Sequence, residues 1–132
     1  MAKAKKSKQL NLIMPNKVGL LSEISKVISD AKVNINAICA YEMEDKAYFM
    51  LITDSNTKAK KALGKFGAEI KEEDIIAVEM PNKPGEMKKV ADKIAAAGIN
   101  INYLYGTAGA GKTAICVLKT VNDKKAIQVI NK

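Results

Sequence analysis

The chain has 132 residues, enough for one ordinary domain or two very small ones, and its share of apolar (48%) and charged (27%) residues is typical of a folded globular protein. Its net charge of +8 comes from lysine alone, and the absence of arginine, the usual bidentate reader of guanine and phosphate, disfavours specific nucleic-acid recognition. The absence of histidine removes the commonest general base and the commonest transition-metal ligand, so neither enzymatic activity, a metal centre nor a cofactor is expected.

Neither a membrane span nor a secretory signal is predicted. No apolar run reaches the roughly 20 residues that a membrane helix needs, and the lysine-rich start of the chain is not followed by a long apolar stretch. We therefore expect a cytoplasmic protein in which residues 1–8 form a disordered basic tail. The two cysteines, Cys39 and Cys116, lie in apolar segments and are predicted to be buried free thiols.

The first half of the chain predicts the order βαββαβ from its hydrophobic periodicity. Alternating apolar residues favour strands, and apolar residues three and four apart favour a helix with one buried face. In chain order, the predicted elements are a strand over Leu10–Met14, a turn over Pro15–Gly19, a helix over Leu20–Ala31, a strand opening at Asn34, a strand over Tyr48–Ile52, a helix with Asn56 as its N-cap that buries Ala59, Ala62, Leu63 and Phe66, and a short strand over Ala68–Lys71.

The second half repeats the first. Met14–Lys17 recurs as Met80–Lys83, 66 residues later, and the same offset relates Asn34–Asn36 to Asn100–Asn102 without a gap, and Lys46 to Lys112. The sequence therefore predicts a duplication. The second copy is expected to hold a strand around Ile76–Met80, a helix over Met87–Ala97, strands opening at Asn100 and over Ala114–Leu118, and a helix beginning at Asn122 or Asp123 that buries Ala126, Ile127 and Ile130.

The prediction is an α+β protein of two ferredoxin-like βαββαβ modules, residues 9–72 and 73–132, joined at an acidic linker, Glu72–Asp74. The counterpart of the first copy's last strand would fall at position 137, beyond the last residue, so the second module lacks its final strand. An unpaired strand edge is normally covered, and we expect a neighbouring chain or a bent segment to cover it.

One segment, Gly106–Thr113, matches the phosphate-binding pattern G-x-x-x-x-G-K-[ST] in full. A phosphate loop must open a helix, whereas Ala114–Leu118 is short and apolar and predicts a strand. Lys112 also corresponds to Lys46 in a turn between two strands of the first copy. We therefore interpret the glycines as a flexible hairpin connection and reject nucleotide hydrolysis.

The element order, the Asn-x-x-Gly turn after the first strand and the Asn-Ile opening of the second strand resemble the ACT domain family over about residues 9 to 131. The family turn reads Asn-x-Pro-Gly; Asn82–Gly85 matches it fully, and Asn16–Gly19 has valine for proline. The resemblance implies an amino-acid ligand held between two ACT modules. The implied ligand-binding residues are Asn16, Lys17, Val18, Gly19, Leu20 and Asn34 in the first copy, and Asn82, Lys83, Pro84, Gly85, Glu86 and Asn100 in the second.

The chemistry of these residues is compatible with that role. A glycine that opens a helix lets a ligand approach free amides, which favour a carboxylate, and asparagine offers both a donor and an acceptor. Turn formation and helix capping alone would also explain each residue singly. Each copy has a turn asparagine, a turn glycine and an asparagine that opens the second strand: Asn16, Gly19 and Asn34, and Asn82, Gly85 and Asn100. This set, found twice at equal spacing, favours binding in at least one copy.

The prediction is a non-enzymatic regulatory sensor of a small-molecule amino acid, similar to stand-alone tandem ACT proteins without a catalytic domain. Its partner would be a regulated enzyme or regulator, or a second copy in a homodimer; no membrane partner is expected, and nucleic acid is disfavoured. Two alternatives stay open: a ligand-free protein–protein interaction module of the same fold, and a weak RNA-binding protein whose sheet aromatics stack on bases. The aromatics on these predicted strands are Tyr41, Tyr48, Phe49, Tyr103 and Tyr105.

Overall fold

A computed structural model describes all residues, 1–132, as six strands and four helices. None of the four helices is both long and apolar enough to span a lipid bilayer. The elements are, in chain order, β1 (Lys3–Pro15), α1 (Leu20–Asp30), β2 (Ile35–Met43), β3 (Lys46–Thr53), α2 (Asn56–Gly64), β4 (Glu69–Pro81), α3 (Glu86–Ala96), β5 (Ile101–Ala108), β6 (Thr113–Thr120) and α4 (Asp123–Ile130). The predicted α+β class and the alternation of strands and helices are confirmed.

The chain forms two compact units. The first unit consists of Lys8–Glu73, and the second unit consists of Met1–Ser7 together with Asp74–Lys132. The two longest strands, β1 and β4, are therefore each divided between the units. The beginning of β1 belongs to the second unit, and the beginning of β4 belongs to the first.

In the first unit the strands are ordered β2-β3-β1-β4, and β3 pairs antiparallel with both β1 and β2. The alternation of apolar residues in β1 turns Leu10, Leu12 and Met14 toward the core, as predicted. Helix α1 adds Leu20, Ile24 and Ile28, which follow helical spacing and cover the same face. The core is completed by Val33, Ala47, Phe49, Leu51, Ala59 and Leu63.

The second unit has the strand order β1-β4-β6-β5, with β6 antiparallel to both β4 and β5. Most positions of its core repeat those of the first unit. The exceptions are Leu20, whose counterpart is Glu86, Ala47, whose counterpart Ala114 is only partly buried, and the added Ala4 from β1. The core of the second unit consists of Ala4, Ile76, Val78, Met80, Val90, Ile94, Ile99, Cys116, Leu118, Ala126 and Ile130. Both cysteines are free thiols; Cys116 is buried, as predicted, whereas Cys39 is only half-buried.

The predicted disordered tail is wrong, because Lys3–Ser7 is the start of β1 and belongs to the second unit. Ala4 is 7% exposed within the core of that unit, and Ala2 packs against it. The small residues at positions 2 and 4 alternate with lysines at 3 and 5, which is the period of a strand with one buried face. The strand missing from the end of the second copy is thus supplied by the N-terminal segment.

The side chain of Asn131, just after α4, fastens this segment. Its Oδ1 accepts a hydrogen bond from the Ala4 backbone N–H at 2.7 Å, and its Nδ2 donates to the Ala4 carbonyl oxygen at 2.9 Å. One amide side chain therefore satisfies both backbone groups of Ala4. In addition, Lys6 Nζ lies 3.4 Å from the Asp74 carboxylate.

The gap-free equivalence of Lys46 with Lys112 is also wrong. Pro15 pairs with Lys46, whereas Pro81 pairs with Thr113, so the offset grows by one residue between the second and third strands of each copy. The cause lies in the hairpin. Two residues with positive φ, Glu44 and Asp45, join β2 to β3, and four residues, 109–112, join β5 to β6. Because β5 is one residue shorter than β2, the net change of the offset is one residue. The segment after Lys112 is a strand, as we predicted when rejecting the phosphate loop.

The N-cap of α2 is Ser55, not Asn56 as predicted. The Ser55 hydroxyl accepts from the Lys58 backbone N–H at 3.4 Å, while Asn56 Oδ1 accepts from the Thr53 hydroxyl at 2.7 Å. In the second unit α4 begins at Asp123, within the predicted start at Asn122 or Asp123, and Asn122 caps it by accepting from the Lys125 N–H at 3.2 Å.

Candidate ligand-binding clefts

The helices α1 and α3 begin without a side-chain cap. Their N-cap residues are Gly19 and Gly85, with φ of 85° and 88°, a left-handed conformation that suits glycine. By contrast, Ser55 and Asn122 cap α2 and α4 through their side chains. The first amide of each helix donates to the turn, Leu20 N–H to the Lys17 carbonyl oxygen and Glu86 N–H to the Lys83 carbonyl oxygen, both at 3.3 Å. The amides of the second and third residues of α1 and α3 are therefore left to water or a ligand.

The first cleft has a volume of about 300 Å³ and lies in the first unit, between the turn that opens α1 and the hairpin of β2 and β3. The turn contributes polar groups and the strands contribute an apolar floor. Its lining consists of Asn16, Lys17, Gly19, Leu20, Leu21, Ser22, Ala40, Tyr41, Glu42, Ala47 and Phe49.

Hydrogen bonds through Asp45 join the two walls of the first cleft. The Asp45 carbonyl oxygen accepts from the Asn16 backbone N–H at 2.9 Å, and the Asp45 N–H donates to Glu42 Oε2 at 2.9 Å. Lys17 Nζ lies 3.0 Å from the Glu23 carboxylate at the surface. The cleft thus has a fixed rim, and Glu42 is held beside the turn.

The second cleft has a volume of about 350 Å³ and lies at the equivalent place in the second unit. Here the longer hairpin reaches the turn, because Asn82 Nδ2 donates to the carbonyl oxygens of Gly109 at 3.1 Å and Gly111 at 3.2 Å. The amide hydrogens of Asn82 therefore hold the hairpin, and only its Oδ1 is open to a ligand. The lining is Met80, Pro81, Asn82, Lys83, Glu86, Met87, Leu104, Gly106, Thr107, Ala108, Ala114, Ile115 and Cys116.

Each cleft is lined by one lysine and one glutamate. Lys17 and Lys83 occupy equivalent turn positions, but Glu42 comes from β2 and Glu86 from the first turn of α3. The pKa of Glu86 is held below its ordinary value chiefly by the hydrogen bond from Lys89. Burial, the next largest effect, acts in the opposite direction, and the positive charges of Lys89, the N-terminus and Lys83 add smaller decreases. Both clefts therefore offer a positive and a negative group.

The structure brings some of the predicted site residues together and separates others. Seven line the clefts: Asn16, Lys17, Gly19 and Leu20 in the first, and Asn82, Lys83 and Glu86 in the second. Val18 is fully exposed and lines no cleft, and neither Pro84 nor Gly85 is part of the second lining. Glu42, Tyr41 and Phe49 were missed, because their approach to the turn depends on the hairpin register.

Asn34 and Asn100 lie at the opposite end of their sheets from the turns. Asn34 precedes Ile35, which pairs with Thr53 at the end of β3, whereas the turn follows Pro15, which pairs with Lys46 at its start. At a rise of about 3.3 Å per residue the two ends of β3 are roughly 23 Å apart. Asn34 instead exchanges hydrogen bonds with Asp54, its N–H donating to the carboxylate at 3.0 Å.

The aromatic residues that suggested base stacking are divided between the two faces of the sheet. Phe49 is 5% exposed in the core, and the rings of Tyr41 and Tyr48 stack on each other with centroids 5.1 Å apart. The structure therefore does not present these three residues as one open aromatic surface.

The strand order and helix placement define each unit as a ferredoxin-like α+β module. Within that class, the chain belongs to the ACT domain pair family, whose model matches residues 6–132. Membership of this family supports a regulatory, ligand-binding role.

Solved structures resemble the chain over nearly its whole length. Protein BT0572 from Bacteroides thetaiotaomicron is 31% identical with a TM-score of 0.89, and the match covers 97% of this chain and 88% of that one. The ligand-free regulatory subunit of aspartate kinase from Thermus thermophilus is 16% identical with a TM-score of 0.68, covering 97% and 94%. Aspartokinase III from E. coli, in complex with lysine and aspartate, is 17% identical with a TM-score of 0.59, covering 98% of this chain and 31% of that chain. A search of curated proteins found no match.

Proposed function

We propose that this protein is a non-catalytic sensor that binds an amino acid in the clefts beside the turns opening α1 and α3. The carboxylate of the ligand is held by the free first-turn amides, and the ligand's side chain lies over the apolar floor. Binding stabilises one arrangement of the protein, which a partner enzyme or regulator reads. A ligand can shift such an equilibrium only through different affinities for the two arrangements.

The observation that carries this proposal is the uncapped, glycine-initiated helix facing a cleft, repeated in both units. The N-terminus of a helix carries a partial positive charge and unpaired N–H donors, and both favour an anion. The chain has no arginine to bind a carboxylate, so backbone amides and lysine are the groups that remain for this task.

The floor of the first cleft favours an aliphatic or aromatic side chain. Leu20, Ala47 and Phe49 supply apolar surface, and they are core residues that hold a fixed position. A cleft of about 300 Å³ is at the lower end of the range for small-molecule sites, which suits a single amino acid.

The similar structures suggest what kind of partner reads the signal. One is a regulatory subunit of aspartate kinase, and another is an aspartokinase solved with two amino acids. By analogy, the partner of this protein would be an enzyme whose activity the ligand controls. That the ligand also contacts a second ACT module, and that the protein forms a homodimer, stay predictions.

A thermal-shift screen against the twenty amino acids at millimolar concentration tests the proposal, because binding to the native state raises the melting temperature by mass action. Ser22 lies at the third position of α1 and lines the first cleft. Ser22→Asp places a fixed anion where the carboxylate is proposed to bind. It should abolish ligand binding in the first cleft while stabilising the helix by about 0.3–1 kcal/mol.

The matched control is Ser29→Asp, near the other end of the same helix, where an acidic residue opposes the dipole and should leave ligand binding unchanged. Loss of binding together with retained stability in Ser22→Asp would separate a site effect from misfolding. A well-folded wild-type protein whose melting temperature responds to none of the twenty amino acids would refute the proposal.

A further inference from the structure

We infer that Glu42 in the first cleft and Glu86 in the second bind the ligand's α-ammonium group, so that the clefts select amino acids over carboxylates that lack the amino group. This inference rests on the proposed function and deepens it, because it identifies the residues that make the ligand an amino acid rather than any small organic acid.

The first supporting observation is that each cleft has one acidic residue although the duplication does not conserve its position. The counterpart of Glu42 is Ala108, and the counterpart of Glu86 is Leu20. The second cleft therefore lacks an acidic residue where the first has Glu42, but has Glu86 where the first has Leu20. Chemistry that is kept while the sequence position changes indicates a requirement of the site, not of the fold.

In the first cleft, Glu42 is fixed beside the turn. It lies opposite Ala47 in the ladder, on the face that carries the cleft floor, and its Oε2 accepts the Asp45 N–H at 2.9 Å. The Asp45 carbonyl oxygen in turn accepts the Asn16 N–H at 2.9 Å. The Glu42 carboxylate is thus connected, through the backbone of Asp45, to Asn16 in the turn that precedes α1. The amides at the start of α1 are proposed to receive the ligand's carboxylate.

In the second cleft, Glu86 is the first residue of α3, directly after the turn glycine. Its side chain is only 11% exposed, whereas Lys89, whose Nζ lies 2.7 Å from it, is 74% exposed. Because the Lys89 side chain is solvated, Lys89 loses little hydration-related free energy on turning back into water, so an ammonium group inside the cleft can displace it from Glu86. The half-enclosed carboxylate gains more from a cation in the cleft than from one in water.

Together, the two charges of each cleft match a zwitterion. The α-carboxylate and α-ammonium of an amino acid are separated by a single carbon, so a site for both needs a donor set and an acceptor close together. The turn amides with Lys17 or Lys83 form the donor set, and the nearby glutamate forms the acceptor.

Titration calorimetry on the full chain tests this inference with two matched pairs of probes: L-leucine with 4-methylpentanoate, and L-phenylalanine with 3-phenylpropanoate. Each pair differs only in the amino group. The amino acid should bind the wild-type protein about tenfold more tightly than its partner. Glu42→Gln and Glu86→Gln should each weaken the amino acid about tenfold at their own cleft and leave the other probe unchanged. Backbone amide shifts of Gly19–Ser22 and Gly85–Lys88 assign each effect to a cleft.

Glu79→Gln is the control, because Glu79 is exposed on β4 and lines neither cleft. Equal loss of both probes of a pair in the Gln variants, or no loss of either, would overturn the role of the glutamates while the sensor proposal stands. Preferential binding of the acids without the amino group would overturn the role as well. If none of the four probes binds the wild-type protein, the role of the glutamates in binding an aliphatic or aromatic amino acid is overturned, whereas the proposed function fails only if the thermal-shift screen also finds no response to any of the twenty amino acids.

Discussion

Asn131 fastens the strand segment that completes the second unit, and replacing it with alanine measures that contribution. Its side chain makes two hydrogen bonds to the backbone of Ala4, at 2.7 and 2.9 Å. A hydrogen bond contributes about 0.5–1.5 kcal/mol net. Because Asn131 is exposed, water can form hydrogen bonds to part of the Ala4 backbone that the substitution leaves unpaired. We expect Asn131→Ala to lower the free energy of unfolding by about 1–2 kcal/mol.

Urea denaturation and hydrogen exchange would measure this effect. A loss of this size should lower the melting temperature by roughly 3–8 °C for a chain of this length. The amide of Ala4 should exchange faster in the variant, because its acceptor is gone. Gln128→Ala, an exposed change on the same helix α4, is the control and should stay within about 0.5 kcal/mol of the wild type.

The reasoning is refuted if Asn131→Ala unfolds at the wild-type urea concentration and the Ala4 amide remains equally protected. In that case strand pairing and the burial of Ala4 would hold the segment without the side chain. Asn131→Asp refines the test, because it keeps the acceptor for the Ala4 N–H and turns a carboxylate toward the Ala4 carbonyl oxygen. Asn131→Asp should therefore lower the free energy of unfolding by at least half of the loss caused by Asn131→Ala.

The remaining predictions concern the floor of the second cleft. A Cβ on Gly106 would lie 2.9 Å from the Cβ of Cys116, so Gly106→Ala should cost about 1–3 kcal/mol in urea denaturation, whereas Gly109→Ala, which meets nothing within 4 Å, should be nearly neutral. Burial raises the pKa of the Cys116 thiol from its ordinary 9.0 to about 11, so iodoacetamide at pH 8 should label the half-buried Cys39 first. Between those two values the unfolded thiol binds fewer protons than the folded one; the free energy of unfolding should therefore fall as the pH rises from 9 to 11, by up to roughly 2 kcal/mol more than in Cys116→Ala.

Periodicity was sufficient to predict most of the fold. The alternation in Leu10–Met14 and the helical spacing from Leu20 to Ile28 each indicate one buried face, and the structure buries those faces. The recurrence of Met14–Lys17 as Met80–Lys83 supports each element a second time, because the same pattern predicts it in both copies. The family resemblance followed from the turn and the element order, and the family match over residues 6–132 agrees with it.

The failures have physical causes that periodicity does not report. The sequence predicts a tail where the N-terminal strand segment lies, because the inward residues of that segment, Ala2 and Ala4, are small and the alternating ones are lysines, so the apolar signal is weak. The one-residue change of offset arises in a hairpin, where loop length is set by turn conformation. A glycine-rich connection also placed Lys112 by coincidence at the position expected for Lys46.

The candidate site was predicted in part. Turn residues form one wall of each cleft. They could be predicted as a group because they are adjacent in sequence, so their proximity does not depend on the pairing of distant segments. Asn34 was grouped with them by its equal spacing in both copies, yet an intervening helix carries the chain to the other end of the sheet. Glu42 escaped notice because only the pairing register of β2 and β3 brings it to the turn.

The shared strand β1 has a consequence for dissecting the protein into its parts. A cut between residues 73 and 74 would leave residues 1–7 on the wrong fragment, so the second repeat could not be expressed alone with its sheet complete. Ala4 lies against Asn131, however, so residue 132 can be joined to residue 1 and the chain opened before Lys8. In that permuted gene each repeat would be a continuous stretch of codons, and the two halves could be made, labelled and studied separately.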